Sequence, residues 1–219
     1  VAYNGSDIYN SAFKNAKVTV LSVIKSNDLV KYYKNESQFY ATLLDEKGNP
    51  IANNTAVQFN VNGVFYTRYT NENGTAKLNI KLYPEHYIIT IIHPKGEKKG
   101  YNITVLPTII SKDLVKYYKN ESQFYATFLN GQGKPIANNT EVHFNVNGVF
   151  YTSYTNENGT AKLNINLYPG NYIITSMHPD GFQMGVNIFF YFILITYDIS
   201  QQCNKTGTST FYAVVLDWQ

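Results

Sequence analysis

The chain repeats itself at long range. "SNDLVKYYKNESQFYAT" starts at Ser26 and "SKDLVKYYKNESQFYAT" at Ser111, an offset of 111 − 26 = 85 residues. "NVNGVFYT" occurs from Asn60 and from Asn145, and "YTNENGTAKLNI" from Tyr69 and from Tyr154, at the same offset. Aligned without a gap, the two 85-residue copies share 60 identical positions. A period this long restricts the chain to tandem copies of one small fold. The edges repeat too. Residues 17–21 match 102–106, so residues 1–25 read as the end of a preceding module. Residues 211–217 echo 39–45, so 196–219 read as a linker and the start of a following module. Between them lie two whole modules, 26–110 and 111–195.

Within one copy the hydrophobic period is two, which marks half-buried strands. Phe39, Ala41 and Leu43 alternate with Tyr40, Thr42 and Leu44. Val57, Phe59 and Val61 alternate with Gln58 and Asn60. Ala76, Leu78, Ile80 and Leu82 alternate with Lys77, Asn79 and Lys81. Turn chemistry separates these runs. Gly48 and Pro50 follow an acidic stretch, and Asn62-Gly63 is a hairpin dipeptide. Asn73-Gly74 supplies a further reversal where φ > 0 is expected at the glycine. The same places recur as Gly133, Pro135, Gly148, Asn158 and Gly159. With a short leading strand at 29–33, each copy holds about seven strands and no helical period. That spacing indicates an all-β chain of tandem antiparallel β-sandwich modules, with a barrel as the alternative. Copy two departs at 188–197, an apolar run read either as a strand plus linker or as drift at the module boundary.

The stretch from Asp45 to Thr90 resembles bacterial Ig-like repeats of group 1, the invasin and intimin type. It is also similar to prealbumin-like and carboxypeptidase-regulatory-like sandwiches. Three pieces carry the resemblance: Gly48-x-Pro50-Ile51 with its copy at Gly133; Thr70-Asn71-x-Asn73-Gly74-x-Ala76 with its copy at Thr155; and Pro169-Gly170-Asn171-Tyr172. Copy one departs from the last with Glu85 in place of Gly170. The array, rich in Asn, Ile, Tyr and Lys, is similar to adhesin-like surface proteins of methanogenic archaea. The resemblance implies an Ig-like module acting as a rod or spacer on the cell surface.

Composition sets limits on chemistry. Net charge is +3, from 18 basic and 15 acidic residues, too weak a balance to point to nucleic acid. Lys95, Lys98 and Lys99 cluster in copy one only and read as a solvated loop. The single cysteine, Cys203, allows no internal disulfide. The longest apolar run falls short of the ~20 residues a membrane helix needs. Nine Asn-x-Ser/Thr sequons occur, at Asn4, Asn35, Asn53, Asn73, Asn102, Asn120, Asn138, Asn158 and Asn204. Asn35, Asn53, Asn73 and their copies Asn120, Asn138 and Asn158 are the candidate glycosylation sites.

No catalytic set stands out, and no cofactor or bound metal is expected. His93 and His178 recur, each before a proline, and read as loop features. Asp28 and Asp113 offer weak calcium binding at most. Lys31 with Asn102, and Lys116 with Asn187, have first-strand and last-strand positions suited to an amide crosslink, although the lysines also fit solvent-facing positions. The leading reading is a non-catalytic structural stalk, extracellular or on the cell surface, whose partners are neighbouring modules of the same chain. The alternatives are a carbohydrate- or protein-binding module, with Tyr66, Tyr69, Tyr151 and Tyr154 as stacking residues, and an accessory domain of a large secreted enzyme.

Overall fold

The computed structural model describes residues 2–10, 12–192, 194–195 and 214–215. Every regular element among them is a β-strand. β1 (Ala2–Tyr3) and β2 (Ala12–Phe13) form a small antiparallel pair. The first sandwich is built from β3 (Ile24–Ser26), β4 (Leu29–Tyr32), β5 (Gln38–Leu43), β6 (Ala56–Val61), β7 (Val64–Tyr69), β8 (Thr75–Asn79), β9 (Glu85–Ile92) and β10 (Lys98–Leu106). The second repeats it as β11 (Ile109–Ser111), β12 (Leu114–Tyr117), β13 (Phe124–Phe128), β14 (Glu141–Val146), β15 (Val149–Tyr154), β16 (Thr160–Leu163), β17 (Gly170–Met177) and β18 (Gln183–Tyr191). β19 (Leu194–Ile195) pairs with β20 (Val214–Val215).

In each sandwich a three-stranded sheet faces a five-stranded one. The orders are β3-β5-β8 and β4-β10-β9-β6-β7 in the first, and β11-β13-β16 and β12-β18-β17-β14-β15 in the second. Register repeats at the 85-residue offset. Ala41 pairs with Ala76 as Ala126 pairs with Ala161, and Phe59 pairs with Tyr66 as Phe144 pairs with Tyr151. A one-residue slip would turn each buried row outward, so the alternation read from sequence fixes these pairings. By its internal contacts the chain divides into two compact units. One takes the chain up to Leu29, Gln38–Asn79 and Tyr87–Ile103; the other takes Val30–Ser37, Ile80–His86 and the chain from Thr104 on.

Three details differ from the sequence expectation. First, each sandwich has eight strands, because the leading segment is split between the two sheets as β3 and β4. Second, the β12–β18 pairing is parallel: Leu114 to Tyr117 run alongside Ile188 to Tyr191. Third, Ile24 and Lys25 pair with Leu43 and Thr42, and Ile109 with Phe128, so each sandwich starts just before the unit drawn at 26 or 111. A period fixes the length of a repeat and leaves its starting residue open. Of the copy-two run that breaks the repeat, 188–191 form the end of β18, with Ile188 and Phe190 buried, and 194–195 form β19. Residues 193, 196 and 197 of the run lie outside the described residues, as do Cys203, Asn204, 211–213 and 216–217.

The first core contains Ile24, Phe39, Leu43, Phe59, Leu78, Ile89, Ile91 and Ile103, all essentially inaccessible. The second places Ile109, Phe124, Phe128, Phe144, Ile174 and Ile188 in matching positions or beside them. Phe39 meets Phe59 edge-on at 6.2 Å, and Phe124 meets Phe144 edge-on at 5.7 Å. Such pairs add to area burial through the ring quadrupole. By contrast, Val18, Val20 and Leu21 are exposed outside any strand, although residues 103 and 105 at the same repeat positions are buried.

Candidate functional site

The turns are held by short polar side chains. Asp45 accepts the N–H groups of Lys47 and Asn49 at 2.9 and 2.8 Å, closing a turn in which Gly48 has φ +85°. The Asn49 backbone donor is the main reason the Asp45 carboxyl sits below its usual range. Asn130 holds the turn at Gly133 in the same way, since an amide oxygen accepts where a carboxylate did. Pro50 and Pro135 bridge Leu44 and Leu129 just after these turns. At the β6–β7 hairpin Asn62 and Gly63 both have positive φ, 49° and 83°, which matches a primed turn. Asn147 and Gly148 repeat it at 51° and 82°.

The turn at Gly74 links β7 to β8, and so joins the edges of two sheets rather than two strands of one. Gly74 N–H donates to Asn71 O at 2.9 Å, and Leu43 N–H donates to Gly74 O at 2.9 Å. Asn71 Oδ1 accepts the N–H groups of Asn73 and Thr75. Gly74 has φ +66° and Gly159 φ +68°.

The sequon asparagines divide by accessibility. Asn4, Asn53, Asn73, Asn102, Asn120, Asn138 and Asn158 are exposed. Asn35 is half-buried: its Oδ1 accepts Ser37 N–H and its Nδ2 is committed to a backbone carbonyl at 2.7 Å. The amide of Asn102 donates to Asp28 Oδ2 at 3.0 Å, and its backbone N–H donates to Oδ1 at 2.8 Å. Asp113 grips Asn187 likewise. The Asn102 side-chain amide, then its N–H, holds the Asp28 carboxyl below its usual range.

That grip gives Asn102 and Asn187 partners other than Lys31 and Lys116. Neither lysine faces solvent. Lys31 Nζ donates to the carbonyls of Ser37 and Ile80, at 3.1 and 2.9 Å. Lys116 Nζ donates to Ser122 and Ile165 at 2.8 and 2.9 Å, and to Asn166 Oδ1 at 3.2 Å. Burial pushes both ammonium groups below their ordinary pKa; for Lys31, Glu36 opposes the shift. The recurring histidines sit in the loops just after β9 and β17, as read from sequence, with their side chains buried. His93 Nδ1 accepts Lys95 N–H, which leaves Nε2–H to donate to Leu44 O at 3.1 Å. His178 makes the corresponding contacts with Asp180 N–H and Leu129 O, and its Nδ1 also lies 2.8 Å from Asp180 Oδ1, which has no counterpart at His93. Sequence reasoning missed both roles. The available signal was that Leu29 and Lys31 share one face of their strand.

Among the described residues no group of three or more His, Cys, Asp or Glu could hold a metal ion, and no helix is long and apolar enough to cross a membrane. An open pocket of roughly 400 Å³ lies where the chain passes from β3 to β4, lined by Lys25, Asp28, Gln38 and Tyr40 among others. Of the four candidate stacking tyrosines, Tyr69 and Tyr154 are exposed on the outer face of the larger sheets, while Tyr66 and Tyr151 are half-buried opposite Phe59 and Phe144. Phe65 and Phe150, not singled out from sequence, share the outer face with Tyr69 and Tyr154.

The chain matches no protein-family model, and no curated protein matches it. Among solved structures it is similar to the D0-D1 domain of intimin, at 15% identity over 76% of this chain and 96% of that one, with a TM-score of 0.31. It is also similar to invasin, a bacterial integrin-binding protein, at 16% identity over 78% of this chain and 39% of that one, TM-score 0.34. E. coli alpha-2-macroglobulin in its native conformation aligns at 12% identity over 85% of this chain and 17% of that one, TM-score 0.40. None of these scores reaches 0.5, and the assignment to tandem Ig-like β-sandwiches stands on the chain's own strand pairing.

Proposed function

We propose that the chain is a non-catalytic spacer from a surface-exposed, adhesin-like protein, extended by repetition of one Ig-like module. The observation that carries this reading is that an 85-residue unit, with 60 positions identical between its copies, builds the same two-sheet sandwich twice in succession, with the same registers. Repeats of this kind extend a chain by adding units whose cores close locally. The side chains best suited to chemistry are committed to holding backbone: His93, His178, Lys31 and Lys116 donate to carbonyls, and Asp28 and Asp113 accept from asparagines. Five of the exposed sequon asparagines, Asn53, Asn73, Asn120, Asn138 and Asn158, fit an exported chain, and we take them as its glycosylation sites. The module limits follow the 85-residue period, and an archaeal source is the finer form of the same proposal.

Concatenated chains carrying two, three and four copies of the repeat test the proposal by small-angle X-ray scattering. A spacer lengthens by an equal step in maximum dimension with every added unit. A dimension that stops growing after the second unit contradicts it.

A further inference from the structure

The two copies differ at 25 of 85 positions, and two of these, 141 and 143, lie side by side on one face of β14. On the outer face of the β14–β15 hairpin, Glu141 lies opposite Tyr154, His143 opposite Thr152, and Asn145 opposite Phe150. In the first sandwich Phe65, Thr67 and Tyr69 are unchanged, but Ala56 and Gln58 stand where Glu141 and His143 do. The exchange converts a plain face into a connected polar string. Tyr154 OH donates to Glu141 Oε2 at 3.3 Å, Glu141 Oε1 lies 3.3 Å from His143 Nε2, and His143 Nδ1 lies 3.3 Å from Thr152 Oγ1.

Two rings bracket this string. Phe150 is 65% exposed and Tyr154 53%, four residues apart on the edge strand of the sheet, or about 13 Å at the rise of a strand. Exposed rings at both ends of a row of acceptors and donors match a ligand with apolar faces and hydroxyl edges. That description fits a sugar chain. The charge narrows it further. The Glu141 carboxylate is partnered by a phenol and an imidazole, so it has room to accept hydroxyl donors and would repel an anionic ligand.

We infer that the outer face of β14–β15 binds a neutral oligosaccharide, with Phe150 and Tyr154 stacking on its rings and Glu141, His143 and Thr152 bonding its hydroxyls. The site belongs to the second sandwich alone. It goes beyond the spacer reading and does not depend on it. Binding is titrated on the whole chain by NMR with a panel of neutral oligomers of glucose, mannose and N-acetylglucosamine, and with oligogalacturonate as the anionic probe. At least one neutral oligomer should shift Phe150, Thr152 and Tyr154 saturably and leave Phe65, Thr67 and Tyr69 in place. Tyr154→Ala should weaken it about tenfold or more, as loss of an anchor does. The paired exchange Glu141→Ala with His143→Gln should abolish it while thermal unfolding of the chain stays cooperative. The reverse exchange, Ala56→Glu with Gln58→His, should create a second site. The inference is overturned if no neutral oligomer shifts these residues at millimolar concentration, if the first sandwich binds equally well, or if oligogalacturonate binds more tightly.

Discussion

Substituting alanine for Gly74 separates two roles a turn glycine can have. At φ +66° any residue with a Cβ pays a left-handed conformational cost, about 1–2 kcal/mol. A Cβ at Gly74 would also lie 2.7 Å from the carbonyl oxygen of Leu43 and 3.0 Å from Ile51 N. Leu43 belongs to a core strand and cannot yield. Relief therefore means loosening two bonds, Leu43 N–H to Gly74 O and Ile51 N–H to Leu43 O, each contributing about 1 kcal/mol net. The sum is about 3–4 kcal/mol. Gly63→Ala is the control: its φ is +83°, yet nothing lies within 4 Å of the added carbon, so only the backbone cost of about 1–2 kcal/mol applies. Urea denaturation followed by NMR signals of each sandwich reads both. With an m-value of about 1–2 kcal/mol/M, Gly74→Ala lowers the first sandwich's midpoint by roughly 2 M and Gly63→Ala by about half that or less. Gly159→Ala should transfer the larger effect to the second sandwich, where Phe128 O lies 2.6 Å from the built Cβ. Equal losses at Gly74 and Gly63 would refute the close-approach argument.

Asp28 should shape the acid limb of the first sandwich. Its folded pKa is depressed by Asn102, so its stabilisation is present above the ordinary value near 3.9 and is lost as pH falls through the folded value. The stability gap between wild type and Asp28→Asn should therefore close as pH falls below about 4; a gap constant from pH 7 to pH 2 contradicts the linkage. Ser176 is fully buried, and among the described residues its hydroxyl has no partner, whereas Ile91 fills the matching position in the first core. Ser176→Ala should raise the second sandwich's stability by about 1 kcal/mol in the same denaturation assay, and a loss would show that the hydroxyl is satisfied.

Much of the fold was legible because alternation and turns agree. Val57, Phe59 and Val61 are buried in one row, and Asn62-Gly63 closes the hairpin that aligns them. What stayed hidden depends on where strands end. The lysines at 31 and 116 lie inward while Val30 and Val115 lie outward, which reverses the hydrophobic rule. The reason appears only in three dimensions: β8 stops at Asn79, and the next carbonyl, Ile80 O, needs a donor that the sheet does not provide. The first strand was likewise hidden, since residues up to 25 read as the preceding module until Ile24–Ser26 is seen paired in the smaller sheet, with Asp28 gripping Asn102 where the chain changes sheets. The outer-face string in the second sandwich was half visible. Glu141 and His143 were a near pair in sequence, but their alignment with Tyr154 and Thr152 needed the β14–β15 register.

Native-state amide hydrogen exchange tests most directly whether one sequence unit makes the same sandwich twice. The account predicts the slowest amides in β5, β6, β9 and β10, with a second set in β13, β14, β17 and β18 displaced by the 85-residue period, because these strands sit inside their sheets with both ladders filled. Protection confined to one copy, or displaced by any other interval, would contradict it.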